Sequence, residues 1–404
     1  MTNAEARVLS AVLQDKQVHV LLQANARQLF KTHADIYDFI VDYYEHNGVV
    51  PPAALVAGSF HDFEYDEAVG ATKHHLEELR TDFLNSSMYS ALCSAAALLQ
   101  EKGPREAMSE LSSSIGNITR LTTAVKDVDV TNYDDAIAHF ELMHSLIESN
   151  AYGIRTGIKG FDDYMPAGIA PGQFGIILAF PAIGKSWLML YLAVQAWLHG
   201  KVPLIISLEM SEAEVRNRIL TILGKGLWTH RDLSAGNVDK NDFRQWASKQ
   251  FDGKHPFHII SNENLGEVTP AVLRGKVAQY KPDIVFVDYV QLMQSNEPSN
   301  NETVKIKSIS RDLKLAAGAD KIPIVIIASA TPDDNVDLSE PPTMDQVAWS
   351  KQLMYDTDWI VALGRAANSD VITVVARKNR NGPLFEFMLM TDFNRGLFKY
   401  KEIE

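Results

Sequence analysis

The chemistry of this chain is most visible in a short loop that ends in Gly184, Lys185 and Ser186. The loop lies between an apolar run at residues 174–179 and a helix-like segment that continues to residue 198. In a strand–loop–helix of this kind, backbone N–H groups at the helix N-terminus bind phosphates, the lysine neutralises their charge, and the serine hydroxyl ligates Mg²⁺. The predicted nucleotide-binding residues are Pro181, Ala182, Ile183, Gly184, Lys185, Ser186 and Trp187.

Two acidic residues follow apolar, strand-like runs and can complete this chemistry. Asp288 ends the run 284–288, where a buried carboxylate needs a cation such as a hydrated Mg²⁺. The alternative for Asp288 is a side chain that caps the following turn. Glu209 follows the run 204–207, where a carboxylate can orient the water that attacks a phosphate. The alternative for Glu209 is a charge that favours the start of the next helix.

A basic cluster at residues 377–383 contains an Asn-Gly pair and lies between two apolar strands, which predicts the tip of a β-hairpin. Lys378 and Arg380 alternate along it, so both side chains are expected on one face. That face is either an ordinary solvated turn or a pair of cations for a phosphate, in the same subunit or in the next one.

The elements that must position these residues alternate between strands and helices from Gly157 onwards. Ser211 and Glu214 form a capping box that begins one helix, and Thr269 before Pro270 begins another. Near-continuous apolar strands predict an α/β fold with a mostly parallel sheet, whose ligand site lies at the carboxyl ends of the strands. The predicted strands are at residues 174–179, 203–207, 258–260, 284–288, 324–329, 359–363, 371–376 and 384–389.

The first residues, 1–125, predict an all-α domain for scaffolding or assembly. Four apolar residues there have helical spacing: Ile36, Phe39, Ile40 and Tyr43. Asp35 is the predicted N-cap of this helix, and Gly48 ends its pattern. Residues 74–101 continue the helical spacing and predict two helices in a hairpin.

Residues 126–152 predict a linker that contains one amphipathic helix, followed by the α/β domain at 153–404. The helix must bury its apolar stripe, either on its own domain or on a neighbouring subunit. The stripe consists of Tyr133, Ala136, Ile137, Phe140, Met143 and Ile147.

The composition indicates an ordinary globular protein of the cytoplasm. Of 404 residues, 46% are hydrophobic and 22% are charged, and the single cysteine, Cys93, excludes a disulfide framework. No apolar run approaches the ~18 residues of a membrane span, and the first residues lack the features of a signal peptide. A net charge of −13 argues against a basic coat, but a nucleic-acid channel needs only local positive charge.

Five segments, in this order, resemble the motifs of DnaB-type replicative helicases. Ala179, which replaces the first glycine of the general phosphate-loop pattern, also agrees with that family. Residues 5–13, with Phe30, His33, Ile36 and Phe39, are similar to the family's helical N-terminal domain. The five segments are FPAIGKS at 180–186, SLEMS at 207–211, VDYVQLM at 287–293, ISRDLK at 309–314 and KNRNGP at 378–383.

The resemblance implies a RecA-like P-loop ATPase domain preceded by the all-α domain and the linker helix. It further implies a homohexameric ring, with ATP and Mg²⁺ bound between subunits. Such a ring moves 5′-to-3′ on single-stranded DNA and unwinds duplex at a replication fork. A separate primase and a helicase loader are the implied partners, in the cytoplasm of a bacterium or of a phage host.

The resemblance also assigns roles to individual residues. Lys185 and Ser186 bind phosphate and Mg²⁺, and Glu209 activates water. Lys378 and Arg380 reach the γ-phosphate of the neighbouring subunit, and the helix at 133–149 docks on the next subunit. The implied catalytic residues are Glu209, Lys185, Arg380 and Lys378, and the implied metal ligands are Ser186 and Asp288.

Two departures from the family pattern concern γ-phosphate sensing and DNA binding. Ser329, Ala330 and Thr331 occupy the stretch where the family places a Gln that senses the γ-phosphate. The family's DNA-binding loop carries an Arg-Glu-Ser-Gly-like segment, and the predicted DNA-binding residues at that place are Trp349, Ser350 and Lys351. Trp349 either stacks on a base or belongs to the core. These departures and the short chain suit a bacteriophage-encoded member.

The alternative function is a RecA-fold ring ATPase that remodels protein or binds duplex DNA without unwinding it. Such a protein would share the phosphate loop and Asp288. It would need neither the N-terminal helical domain nor the hairpin that carries Lys378 and Arg380.

Overall fold

A computed structural model describes the chain at residues 4–23, 26–67, 70–122, 130–149, 151–261, 263, 266–296, 299, 301–331, 337, 339–346 and 351–402. The chain divides into two compact units, Met1–Asn132 and Tyr133–Glu404. None of the helices in these described ranges is both long and apolar enough to cross a membrane.

The first unit consists of helices around a small apolar core. Leu9, Val12, Ile36 and Ile40 are buried in this core, and the helical spacing predicts this burial for Ile36 and Ile40. The described helices are α1 (Ala4–Asp15), α2 (Val18–Gln23), α3 (Ala34–Asn47), α4 (Ala53–Ser59), α5 (Thr72–Glu101) and α6 (Pro104–Thr122).

Two expectations for this unit were wrong in detail. His33, not Asp35, is the N-cap of α3, and it makes no side-chain cap. The buried Glu5 carboxylate on α1 instead accepts hydrogen bonds from the backbone N–H groups of residues 31–33. The N–H groups just before α3 are therefore paired with a side chain from a distant helix. Residues 74–101 belong to the single helix α5, because no glycine or proline interrupts it; the hairpin forms between α5 and α6.

The described strands of the second unit form one sheet of nine, in the order β3-β2-β4-β5-β1-β6-β7-β8-β9. Strands β1 to β6 pair in parallel, and β7 to β9 continue the sheet as antiparallel strands. The strands are β1 (Phe174–Ala179), β2 (Pro203–Ser207), β3 (His258–Ser261), β4 (Ile284–Asp288), β5 (Ile324–Ser329), β6 (Trp359–Gly364), β7 (Val371–Asn379), β8 (Glu386–Asp392) and β9 (Leu397–Lys401).

Helices connect and cover these strands. The capping box of Ser211 and Glu214 and the cap of Thr269 before Pro270 are both formed, which confirms these two helix starts. The helices are α7 (Tyr133–Glu148), α8 (Lys159–Asp162), α9 (Lys185–Leu198), α10 (Glu212–Gly224), α11 (His230–Ala235), α12 (Lys240–Phe251), α13 (Pro270–Tyr280), α14 (Glu302–Asp320) and α15 (Lys351–Asp356).

The linker helix α7 keeps its apolar stripe at the surface of the chain. None of its 16 residues, all of which are described, is buried. Tyr133 is 75% exposed and Phe140 is 65% exposed, which is unusual for aromatic side chains. Burial of the stripe therefore requires something other than the unit to which the helix belongs.

Candidate nucleotide-binding site

The phosphate loop connects β1 to α9 at the carboxyl ends of the parallel strands. Gly184 is the N-cap of α9 with a φ of 115°, a conformation that side chains with a Cβ rarely adopt. A Cβ at this position would also collide with the ring of Phe393. Ala182 has a φ of 63°, so the backbone turns sharply twice before the helix begins.

Burial divides the loop into an anchored part and an open part. Phe180 and Ile183 are buried in the core, whereas Pro181 and Ala182 are exposed. Trp187 stacks on Phe393, with ring centroids 5.6 Å apart, so the turn between β8 and β9 supports the first turn of α9. The open backbone at the start of α9 is the place where helix N–H groups can bind an anion.

Asp288, at the end of β4, is fully buried, and neither carboxylate oxygen has a hydrogen-bond partner among the described residues. Burial raises the pKa of this carboxyl group, and the charge of Glu209 raises it further. The hydroxyl of Ser186 and the ammonium group of Lys185 lower the same pKa. Ser186 lies near enough for this effect but is not placed to donate a hydrogen bond.

In this environment an ionised Asp288 is unfavourable unless a cation compensates its charge. A side chain that capped the following turn would accept a backbone N–H, and the carboxylate of Asp288 accepts none among the described residues. A buried, unpaired carboxylate beside a serine hydroxyl fits a hydrated Mg²⁺. No group of three or more His, Cys, Asp or Glu side chains in the described ranges could hold a metal, so nucleotide and water oxygens would complete its coordination.

Glu209 lies next to Asp288 at the same edge of the sheet. Ser207 at the end of β2 is in register with Asp288, and the N–H of Leu208 donates to the Asp288 carbonyl oxygen at 2.6 Å. Glu209 follows directly and is exposed, and its charge raises the pKa of both Asp288 and Tyr289. It precedes the N-cap of α10, so it is not one of the acidic residues in the first turn of that helix.

Arg218 on α10 also belongs to this site, although the motif analysis did not identify it. Its guanidinium carbon lies 5.2 Å from the centroid of the Trp187 ring. Burial lowers the pKa of Arg218, whereas the charges of Asp288, Glu214 and Glu209 raise it. The sequence signal that could have identified Arg218 is its helical spacing. It lies three residues after Val215 and four before Ile222, both on the buried face of α10.

The basic hairpin lies near the amino-terminal ends of the parallel strands, whereas the phosphate loop lies at their carboxyl ends. Asn379 pairs with Trp359, which in turn pairs with Gly175 at the start of β1, whereas the phosphate loop follows the end of β1. Lys378 and Arg380 point to one face, as expected, because both donate to the carbonyl oxygen of Tyr355. The structure therefore does not bring these two cations to the phosphate loop of their own chain.

The remaining predicted positions are only partly described. Trp349 and Ser350 lie outside the described residues, and so does the side chain of Lys351, the first residue of α15. Ser329 is in register with Ala179, so it lies beside the phosphate loop at the end of β5. Thr331 is exposed, and its N–H donates to the carbonyl oxygen of Gln346.

Comparison with known proteins agrees with this geometry. The family model of the DnaB-like helicase C-terminal domain matches residues 153–402. The replicative DNA helicase DnaB of Treponema pallidum (strain Nichols) is 25% identical, over 98% of this chain and 95% of the relative. That of Leifsonia xyli subsp. xyli (strain CTCB07) is 26% identical, over 87% of this chain and 82% of the relative.

Among solved structures, a DnaB-like replicative helicase, described together with its interactions with primase, superimposes with a TM-score of 0.69. It is 20% identical in sequence, and the match covers 98% of each chain, which shows a shared fold. The RecA-like α/β sheet, the helical N-terminal unit and the family match over most of the second unit lead to one conclusion. The chain belongs to the DnaB-like helicase family and is an ATP-driven replicative DNA helicase.

Proposed function

We propose that this chain forms a homohexameric ring that moves 5′-to-3′ along single-stranded DNA and unwinds duplex at a replication fork. The observation that carries this proposal is the buried, unpartnered Asp288 carboxylate beside the phosphate loop. An inactive, purely structural nucleotide fold would have no reason to retain that unfavourable charge. Glu209, Ser186 and Lys185 all shift the pKa of the same carboxyl group, which supports the proposal that they belong to one hydrolytic site.

In this proposal Asp288 and Ser186 hold Mg²⁺, which supplies charge neutralisation for the β- and γ-phosphates. Lys185 and the N-terminus of α9 bind the phosphates from the side of the loop. Glu209 is exposed at the same edge, where its carboxylate can accept a hydrogen bond from the attacking water and orient it towards the γ-phosphorus atom.

Lys378 and Arg380 supply the missing half of the site to a neighbouring subunit. Their place at the far edge of the sheet supports a role in trans, because they cannot reach the phosphate loop of their own chain. Arg380 is 48% exposed at its side chain and is therefore available to a phosphate that approaches from outside.

The exposed helix α7 is the proposed contact that builds the ring. A groove of about 370 Å³ between α10, α11 and α12 has an apolar floor and basic residues at its edge. Helix α7 carries acidic residues at 134, 135, 141 and 148 and no lysine or arginine, so it complements this groove in charge. The groove is lined by Asn217, Leu220, Leu233, Gly236, Val238, Lys240, Phe243 and Arg244.

The proposed partners follow from work at a replication fork. Single-stranded DNA is proposed to contact Trp349, Ser350 and Lys351, because backbone amides and a lysine suit phosphate contacts. A separate primase and a loader are proposed to bind the N-terminal helical unit, and the structural relative described with primase supports the first of these. The site of action is the cytoplasm of a bacterium or of a phage host.

Replacement of Glu209 by Gln tests the function as a whole. We expect ATP hydrolysis to fall by at least about 10²-fold, because an amide cannot polarise the attacking water as a carboxylate does. Displacement of a strand from a forked duplex with a 5′ tail should stop, while binding of a fluorescent ATP analogue persists. Hydrolysis by the native chain that single-stranded DNA does not stimulate, without displacement, would instead indicate a ring ATPase that does not unwind.

Replacement of Asp288 by Asn tests the metal site through stability. The folded-state pKa of Asp288 lies above the unfolded value, so its ionisation costs stability above the folded pKa, and this cost disappears as the pH falls below the unfolded value. Near neutral pH without Mg²⁺, we therefore expect the variant to unfold at the same temperature as the native chain or at a higher one.

The same variant should lose the extra stabilisation that Mg²⁺ adds to bound ADP. That stabilisation is about 2.7 kcal/mol at a ligand concentration of 100 times Kd, and thermal unfolding with ADP, with and without Mg²⁺, measures it. Asp163→Asn, at an exposed position, is the control and should keep the full magnesium effect. A variant of Asp288 that retains this effect would show that the metal lies elsewhere.

Mixed rings test the role of Arg380 in trans. Rings of Arg380→Ala alone should hydrolyse ATP about 10³-fold more slowly, because a cation near the transferred phosphate is lost. In mixtures with native subunits, activity should fall more steeply than the variant fraction, since one disabled site stops a ring whose subunits hydrolyse ATP in turn. Lys399 lies on the exposed edge strand β9, so mixed rings that contain Lys399→Ala subunits should keep full ATP hydrolysis at every ratio. A linear decrease with Arg380→Ala would contradict the role.

Charge reversal tests the docking of α7. The double variant Lys240→Glu and Arg244→Glu should weaken ring assembly by about tenfold or more, because like charges then face the acidic helix. Sedimentation velocity measures the hexamer fraction, and Asp134→Lys with Asp135→Lys on α7 should restore it. Lys249→Glu, at an exposed position of the same helix α12, is the matched control. Full assembly of the double variant would place the docking site elsewhere.

A further inference from the structure

Two aspartates that the hydrolysis chemistry does not use lie next to each other in the fold: Asp356 ends α15, and Asp358 lies in the short connection to β6. Asp358 is the more central of them, with its side chain only 12% exposed. One oxygen, Oδ2, accepts hydrogen bonds from the backbone N–H of Phe174 at 2.8 Å and from Nζ of Lys314 at 2.5 Å. The other oxygen, Oδ1, accepts from Nη1 of Arg380 at 3.3 Å.

The backbone of Asp358 joins the same elements. Its N–H donates to the carbonyl oxygen of Phe174 at 2.7 Å, and its carbonyl oxygen accepts from the N–H of Arg380 at 2.9 Å. A single residue therefore connects the first residue of β1, helix α14 and the turn that carries the trans-acting cations. Contacts with β1 and α14 hold this carboxylate on two sides, at the place where Arg380 binds it.

Helix α14 holds the connection at two points, four residues apart on one face. Ser310 is fully buried, and its hydroxyl donates to Oδ2 of Asp356 at 2.7 Å, while Lys314 binds Asp358 one turn later. Both residues belong to the segment ISRDLK at 309–314, to which the phosphate chemistry assigns no role. The segment therefore holds Asp356 and Asp358 in place through Ser310 and Lys314.

The charges in this cluster leave one cation in excess. Burial and the charges of Arg380 and Lys314 lower the pKa of Lys378, and the charges of Asp358 and Asp356 raise it. Three cations therefore share two carboxylates. Arg380 is exposed, whereas Lys314 and Lys378 are half-buried. Its contact with Asp358, at 3.3 Å, is also longer than that of Lys314, at 2.5 Å.

We propose that Asp358 is a positioning residue for Arg380: held by Lys314 and by the start of β1, it keeps the guanidinium in place until a neighbour's phosphate takes it. The inference rests on the proposed function of Arg380 in trans. Asp358 does not touch the nucleotide of its own chain, because it lies at the edge of the sheet opposite the phosphate loop. Its effect is to reduce the conformational freedom that Arg380 must lose on binding the phosphate.

A double-mutant cycle on the full chain tests the proposal, with kcat for ATP hydrolysis stimulated by single-stranded DNA as the measurement. Asp358→Asn should lower kcat about fivefold in the native background, because it removes the charge that holds Arg380. In the Arg380→Ala background the same change should have no further effect, since nothing is left to position. A merely structural role would lower kcat in both backgrounds.

Lys314→Met provides a second variant that acts from the side of α14 and should show the same dependence on Arg380. Asp320→Asn is the matched control, because it breaks another arginine–aspartate pair at the end of the same helix, with Arg274. It should leave kcat unchanged. The Kd of a fluorescent ATP analogue should stay within about twofold for every variant, since the phosphate loop is not altered.

The outcomes separate this inference from the function on which it rests. If Arg380→Ala leaves kcat unchanged and dilutes linearly in mixed rings, the role of Arg380 in trans fails, and the inference fails with it. If Arg380→Ala lowers kcat but the effects of Asp358→Asn and Lys314→Met add to it, only the inference is overturned. Failure of both variants to fold would likewise overturn it, because Asp358 would then be a stability element.

Discussion

A carboxylate buried without a partner is the constraint around which the ATPase unit is arranged. Ionised Asp288 is unfavourable in the core unless a cation compensates it, and the parallel sheet places that carboxylate where a cation can arrive with a nucleotide. The register of β2 and β4 places Glu209 near Asp288, and the loop after β1 leads to Lys185 at the start of α9. In the proposed site, binding of Mg²⁺ and nucleotide would recover the stability that this buried charge costs.

The sheet also separates the two halves of the proposed chemistry. Carboxyl ends of the parallel strands carry the phosphate loop, and the opposite edge carries Lys378 and Arg380. In the proposed mechanism one chain holds two incomplete sites, each of which needs another copy. Hydrolysis would then depend on contact between subunits, which suits a motor whose subunits act in turn.

Much of this organisation could be predicted from the sequence, and the exceptions have a common cause. Strands β1, β2, β4 and β5 have the predicted bounds, because they are continuous apolar runs between clear turn signals. Strand β9 was missed because its residues alternate with lysines at an exposed edge. His33, Arg218 and Asp358 owe their surroundings to segments far away in the chain, and local patterns do not report such contacts.

The exposed helix α7 has a consequence for how such assemblies end. If each subunit gives one acidic helix and receives another in its basic groove, a row of subunits always leaves one helix uncovered and one groove empty. Closure of the row forms one more contact without binding another subunit, so this last contact costs less translational and rotational freedom than any contact before it. A factor that opens such a ring for DNA to enter needs to cover only one uncovered helix and one empty groove.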